Sequence, residues 1–317
     1  MSGIDPYLFR PEPTFTGPQV ADKAGLDLEF AKRLLRALGL PEVGDDVVEF
    51  DDDDVDVLRS IATLRDAGFT EDDIIQVARA YGQSLSRVAD AEVRVFRTAF
   101  VEPLRAASPG EDQVVARLQE VVPTMLDMLS HQIDRVHRRH LAIALERVTG
   151  IEHGGPTEPM AVAFVDLVNF SKVSSEIETE ELGNLVTAFE TLAIERCTER
   201  GVRVVKVIGD AAMLAASSAE DTVDAAAAIV TELGGSDGLP DGRAGVDFGD
   251  VLPRGGDYFG HPVNVAARLV NFARPGTVVA SQELLDALTN PRDVSHIGKV
   301  RLKGVGSVRA FKLNEPE

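Results

Sequence analysis

The stretch "VRVVKVIGDAAMLAA", residues 202–216, decides the fold. Two runs of β-branched and small apolar residues flank Gly209-Asp210, a dipeptide that favours a tight turn, so the segment reads as a β-hairpin. Lys206 interrupts the first run. Strand alternation sets it on the face of Val204 and Ile208. A lysine on a half-buried strand needs a partner or a route to solvent. Asp210 lies in the turn, where a short carboxylate is common for backbone reasons alone.

The neighbouring segments alternate in kind. "MAVAFVDLVNF" reads as a buried strand with Asp166 near its end, and "TEELGNLVTAFETLAIERCTERG" as an amphipathic helix stopping at Gly201. After the hairpin, "SAEDTVDAAAAIVTEL" is a helix and "GRAGVDFGDVLPRGGDYFG" two strands joined by a loop. "GTVVAS", a short helix and the end strands in "VRLKGVGSVRAFKL" complete the chain. Strands that form hairpins yet alternate with helices predict an α+β sheet layered with helices, built on a βαββαβ core of ferredoxin-like type.

"DYFGHPVNVAARLVN", residues 257–271, sets polar groups into a small apolar helix. Asn264 and Arg268 are four apart and share a face. Arg contacts a phosphate bidentately, and Asn offers both a donor and an acceptor. Asp257 stands just upstream, among Gly255, Gly256 and Gly260, which permit close backbone approach. Asp166 and Asp210, at the tips of neighbouring strands, can share hard cations such as Mg²⁺ or Mn²⁺. The "LVNFS" after Asp166 can turn backbone N–H groups toward phosphate oxygens.

The first half reads as all-helical. "TGPQVADKAGLDLEFAKRLLRALGL" has a helix-turn-helix rhythm and stops at Gly39 and Pro41. The acidic run Asp51 to Asp54 suits a helix N-terminus, and Thr70 is a candidate N-cap. A long helix or helix pair, bent near Pro123, carries His131, His137 and His140 beside Arg135, Arg138 and Arg139. "TGIEHGGPTEP" lacks periodicity, so the expected division is a helical domain over 1–148, a linker over 149–158 and an α+β domain over 159–317.

The net charge of −20, from 32 basic and 52 acidic residues, argues against a broad nucleic-acid interface. Local cations and a metal ion still permit nucleotide binding. No apolar run reaches membrane-span length, and the start shows no basic region before an apolar stretch, so no span or signal peptide is expected. The single Cys197 excludes an intrachain disulfide and suits a reducing cytoplasm.

Together "VAFVDLVNFS", "VVKVIGDAAM" and "GDYFGHPVNVAARLV" resemble the catalytic domain of class III adenylate/guanylate cyclases, over about residues 157 to 315. The resemblance implies two Mg²⁺ or Mn²⁺ ions per site, with Asp166, Leu167 and Asp210 at the metal positions. It implies that Lys206 and Asp257 read the purine and, as a Lys/Asp pair, select ATP. It implies that Asn264 orients the ribose and that Arg268 stabilises charge at the α-phosphate. Phe170, Ser171 and Lys303 fall at further substrate-binding positions, Lys303 aligning with the lysine that holds the distal phosphates. Asn169 replaces a Gly often found before the Phe, and Ser171 stands where Thr is frequent. Sites in this family are shared between two chains, which implies a homodimer. The two-part layout resembles mycobacterial-type soluble cyclases, whose helical domain tunes the catalytic dimer in response to pH or fatty acids. The competing class is a silent nucleotide-binding or DNA-binding regulator that kept the fold.

Overall fold

The computed structural model describes residues 11–107, 110–149, 157–236 and 238–314, without the side chains of 146–149. The chain divides into two compact units, Met1–Glu152 and His153–Glu317. The expected linker over 149–158 lies mostly outside the described residues.

In the first unit, helices α1 (Gly17–Ala24) and α2 (Leu28–Ala37) make the helix-turn-helix, with Asp27 capping α2 through the Phe30 N–H. The acidic run does start a helix. Asp51 accepts from the N–H groups of Asp53 and Asp54 and opens α3 (Asp52–Asp66). Thr70 caps α4 (Glu71–Phe96) by accepting from the Asp73 N–H. The helices bury Val20, Phe30, Leu34, Leu58 and Ile75 in one core. A π-helical turn, Arg97–Val101, leads into α5 (Glu102–Ala107). The segment with Pro123 is one helix, α6 (Glu111–Thr149), not a pair. Val114, Leu118 and Val122 hold its first part in a cluster with Val101. One feature departs from the all-helical expectation: β1 (Phe15–Thr16) pairs antiparallel with β2 (Val48–Phe50).

The second unit carries the sheet. Its strands are β3 (Glu158–Leu167), β4 (Arg203–Ile208), β5 (Ala211–Ala216), β6 (Gly242–Arg254), β7 (Asp257–Phe259), β8 (Val278–Ser281), β9 (Val294–Leu302) and β10 (Gly306–Leu313). Its helices are α7 (Phe170–Glu176), α8 (Thr179–Thr198), α9 (Ala219–Gly235), α10 (His261–Leu269) and α11 (Gln282–Ala287). The spatial order is β4-β5-β3-β6-β8-β10-β9, with β7 paired to β6. The first four strands, in chain order β3, β4, β5, β6, pair antiparallel and form the expected βαββαβ core. Strand β8 then joins β6 in parallel, which makes the sheet mixed.

Alternation on β3 shows how the layers form. Ala161, Ala163, Val165 and Leu167 pack under α8 and α9, with Phe189, Leu192, Val223 and Ile229. Met160 and Val162 face the other way, toward Val251, Tyr258 and Ala266 under α10 and β7. The strand stops at Leu167 because Asn169 takes a left-handed conformation, φ 59°, and starts α7. An amide side chain tolerates that region better than other non-glycine residues do.

Candidate active site

The β4–β5 hairpin turns at Gly209-Asp210, and the Leu167 N–H donates to the Asp210 carbonyl at 2.9 Å. Asp166 lies opposite Ala211 in the ladder, so both acidic residues reach one end of the sheet together. Burial pushes the Asp166 carboxyl above its ordinary range, and the charge of Asp210 adds to the rise. Arg243 opposes it. Its Nε and Nη2 donate to Asp166 Oδ2 at 3.0 and 2.7 Å, from the β6 position directly across the ladder. The Leu167 side chain is in the core, so only its backbone can face a cation.

Two carboxylates with hard oxygens suit Mg²⁺ or Mn²⁺. Among the described residues no group of three or more His, Cys, Asp or Glu surrounds a common point. A small hard ion takes only one or two carboxylates and completes its shell from water and phosphate. Arg243 already supplies a positive partner at this spot, so the donor set is one that attracts cations.

Lys206 does not share a face with Val204, contrary to simple alternation. A bulge lies between Val204 and Lys206. Val204 packs into the core under α8 and α9, whereas Val205 packs on the α10 face. Lys206 then pairs in register with Met213, whose side chain belongs to the α10 face. The extra residue of a bulge reverses the side-chain phase. Lys206 there forms a part-buried ion pair with Asp257 Oδ2, across 51 residues of sequence. The other Asp257 oxygen accepts from the Tyr258 N–H at 2.9 Å.

Asp257 owes its position to a tight hairpin. Arg254 and Asp257 are paired across Gly255-Gly256, whose φ values are 60° and 82°. Two successive positive φ angles are the mark of a type I′ turn, which only Gly, Asn and Asp tolerate well.

Helix α10 is seated directly on β6. A Cβ on Gly245 would lie 2.5 Å from the Ala266 carbonyl oxygen, so the missing side chain is what allows contact. Val265, Ala266 and Leu269 are buried by this seat, while Asn264 and Arg268 are exposed together on the opposite stripe. The helix is thus buried on one side only. The Asn264 amide donates to the Gly260 carbonyl at 3.1 Å. Exposed Phe259 and Phe272 flank the helix at its two ends.

Phe170 is partly buried against the α8/α9 core, and Ser171 is exposed in the first turn of α7. Lys303 lies in the exposed β9–β10 turn at the far edge of the sheet. Four strand spacings separate β9 from β3, roughly 19 Å. Sequence reading therefore finds three separate groupings: Asp166 with Asp210, Lys206 with Asp257, and Asn264 with Arg268. It missed Arg243. The available signal was a charged residue on an otherwise apolar strand, "GRAGV".

The adenylate cyclase regulatory domain family matches residues 11–142, and the adenylate and guanylate cyclase catalytic domain family matches residues 151–233. The chain is 33% identical over 303 residues to an adenylate cyclase of Streptomyces coelicolor, covering 92% of this chain and 78% of that one. The chain belongs to the class III adenylate and guanylate cyclase family. It is also 30% identical to an adenylate cyclase of Glutamicibacter nicotianae, covering 100% of this chain and 83% of that one. It is 31% identical to a pH-sensitive adenylate cyclase of Mycobacterium tuberculosis, covering 93% and 77%. The catalytic-domain match includes Asp166, Lys206 and Asp210, whereas Asp257, Asn264, Arg268 and Lys303 lie beyond it. Among the described residues of this cyclase-family chain, no helix is long and apolar enough to cross a membrane.

Proposed function

We infer that the chain is an adenylate cyclase, converting ATP to 3′,5′-cyclic AMP and pyrophosphate. The observation that carries the choice of nucleotide is the Lys206–Asp257 pair. Adenine N1 is an acceptor and its exocyclic amine a donor. An ammonium and a carboxylate held side by side match those two edge groups, and guanine reverses both. In the reaction the ribose 3′-oxygen forms a bond to the α-phosphorus, and the bond from that phosphorus to the bridging oxygen breaks to release pyrophosphate.

Within this reading Asn264 holds the ribose so that its 3′-oxygen is in line, a positioning role. Arg268 donates to oxygens on the α-phosphorus as charge builds there, worth about 3 kcal/mol of barrier for one such donor. The N–H groups of Phe170 and Ser171 at the start of α7 are assigned to the phosphate chain, and Lys303, at the far sheet edge of its own chain, to the distal phosphates of a site completed by the second copy. Asp166, Asp210 and the Leu167 backbone would hold two Mg²⁺ or Mn²⁺ ions. When bound, these supply a lowered pKa for the 3′-hydroxyl and neutralise phosphate charge.

Each position occurs once per chain, and the exposure of Asn264 and Arg268 between Phe259 and Phe272 supports a site completed by a second copy. The helical unit, residues 1–148, then tunes the dimer, and 149–158 links it to the catalytic unit. The signal read by this unit is a proton or a fatty acid. His131, His137 and His140 are exposed on α6, and the His137 ring meets the Tyr81 hydroxyl of α4 at 3.4 Å. Nucleic acid is disfavoured, because Lys32, Arg33 and Arg36 on α2 pair with Asp45, Glu71 and Glu42. An ATP-consuming reaction suits the cytoplasm.

Incubating the purified chain with ATP and Mn²⁺, and with GTP in parallel, tests the assignment. Cyclic AMP from ATP with much less product from GTP is expected, and no cyclic nucleotide from either would refute it. Mixing Asp210→Ala and Arg268→Ala chains, each nearly inactive, should restore part of the activity. No recovery while subunits exchange would rule out shared sites.

A further inference from the structure

We propose that Arg203 is the positioning residue for purine selection, clamping the β6–β7 turn so that Asp257 meets Lys206. The inference rests on the base-reading role assigned above to that pair. Arg203 opens β4, on the far side of the bulge from Lys206. Its Nη2 donates to the Gly256 carbonyl at 2.8 Å, across 53 residues of sequence. That carbonyl belongs to the peptide bond that enters Asp257. The guanidinium also lies 5.8 Å from the centroid of the Tyr258 ring, within cation–π range. It therefore contacts the residues immediately before and after Asp257.

The need for such a clamp follows from the elements around it. Asp257 sits on a three-residue strand, β7, that pairs with β6 as the short arm of a projecting hairpin. Its type I′ turn fixes register within the hairpin but not the hairpin's approach to β4. Lys206 comes from β4, and strands β5 and β3 separate β4 from β6 in the sheet. The two base-reading groups are thus carried by elements that share no backbone hydrogen bond. Among the contacts described, Arg203 is a second tie between them, and unlike the Lys206–Asp257 pair it does not have to open for a purine to bind. Tyr258 is buried against Met213 and Val251, which gives the guanidinium a fixed surface to rest on.

The test uses the full chain with Mn²⁺, comparing kcat and KM for ATP and GTP. Arg203→Gln removes the charge and shortens the reach. The ratio of kcat/KM for ATP to that for GTP should fall about tenfold, mainly through KM for ATP. Arg203→Lys, whose ammonium reaches one carbonyl but lacks the planar face, should lose less of the ratio. In an Asp257→Ala background, Arg203→Gln should cause no further change, because its effect passes through Asp257. An equal fall for both nucleotides, or a full additional loss in the Asp257→Ala background, overturns the proposal. If Arg203→Gln does not fold, Arg203→Lys carries the same comparison, and a wild-type ratio in that variant overturns it. The two levels separate cleanly. If Lys206→Ala and Asp257→Ala leave the preference for ATP intact, the base-reading assignment itself fails and this proposal with it. If they abolish the preference and the Arg203 variants do not, only the clamp fails.

Discussion

Replacing Gly245 by alanine tests the seat of α10. Gly245 is paired on one side with Phe164 of β3 and on the other with Val279 of β8. A new Cβ would stand 2.5 Å from the Ala266 oxygen and 2.9 Å from the Leu269 carbonyl carbon, and would also press on the Val270 nitrogen. Ordinary contact needs about 3.5 Å, so something must retreat by roughly 1 Å. Strand β6 is held by hydrogen bonds on both edges, whereas α10 is held by side-chain packing and its ends. The helix should move. Overpacking of this kind costs about 1–3 kcal/mol of stability. Displacing Asn264 and Arg268 by roughly 1 Å should cost on the order of a hundredfold in kcat. Urea unfolding followed by circular dichroism, with kcat for ATP measured on the same preparation, reads both quantities. A Gly245→Ala chain with the wild-type midpoint and the wild-type kcat would show that α10 does not depend on this contact.

Three further outcomes are expected. Asp247 is buried, accepts from the Ser281 hydroxyl, and burial pushes its carboxyl up to about 6. Because the folded state holds this proton more tightly than the unfolded state, the ionised group destabilises the fold at neutral pH. The penalty disappears as pH falls from about 6 toward 4, so wild type should gain about 2–3 kcal/mol relative to Asp247→Asn over that range in urea titrations; parallel pH dependences would refute this. Arg243→Met leaves Asp166 half-buried beside Asp210 without its cation, so its carboxyl should keep its proton to higher pH. The Mn²⁺ concentration for half-maximal activity should then rise more steeply with falling pH than in wild type, and an unchanged pH dependence counts against it. Replacing His131, His137 and His140 together in the full chain should change its activity–pH profile, and an unchanged profile removes the proton-sensing role.

The parts of the fold legible in the sequence were those governed by local periodicity. The β4–β5 hairpin, the caps at Asp51 and Thr70 and the amphipathic helices each follow from residue spacing within one element. Lys206 shows where that logic stops. Its neighbours alternate without a break, and the bulge that turns it onto the α10 face arises from pairing with β5, which alternation within β4 cannot register. Asn264 and Arg268 were legible as a pair from their spacing, but small residues such as Ala266 do not show which surface the helix is seated on. Arg243 and Gly245 were unread for a related reason. Each acts across strands, and only the register of β3 against β6 gives either its partner.

Lys206 and Asp257 satisfy each other's charge at a part-buried position. Two charges so paired offer little to a stray anion or cation. A visitor must pull them apart, and one that answers only one of the two strands the other, half-buried and uncompensated. Under the proposed base-reading role, a ring edge presenting an acceptor beside a donor, in the right order, replaces both halves of the bond it breaks.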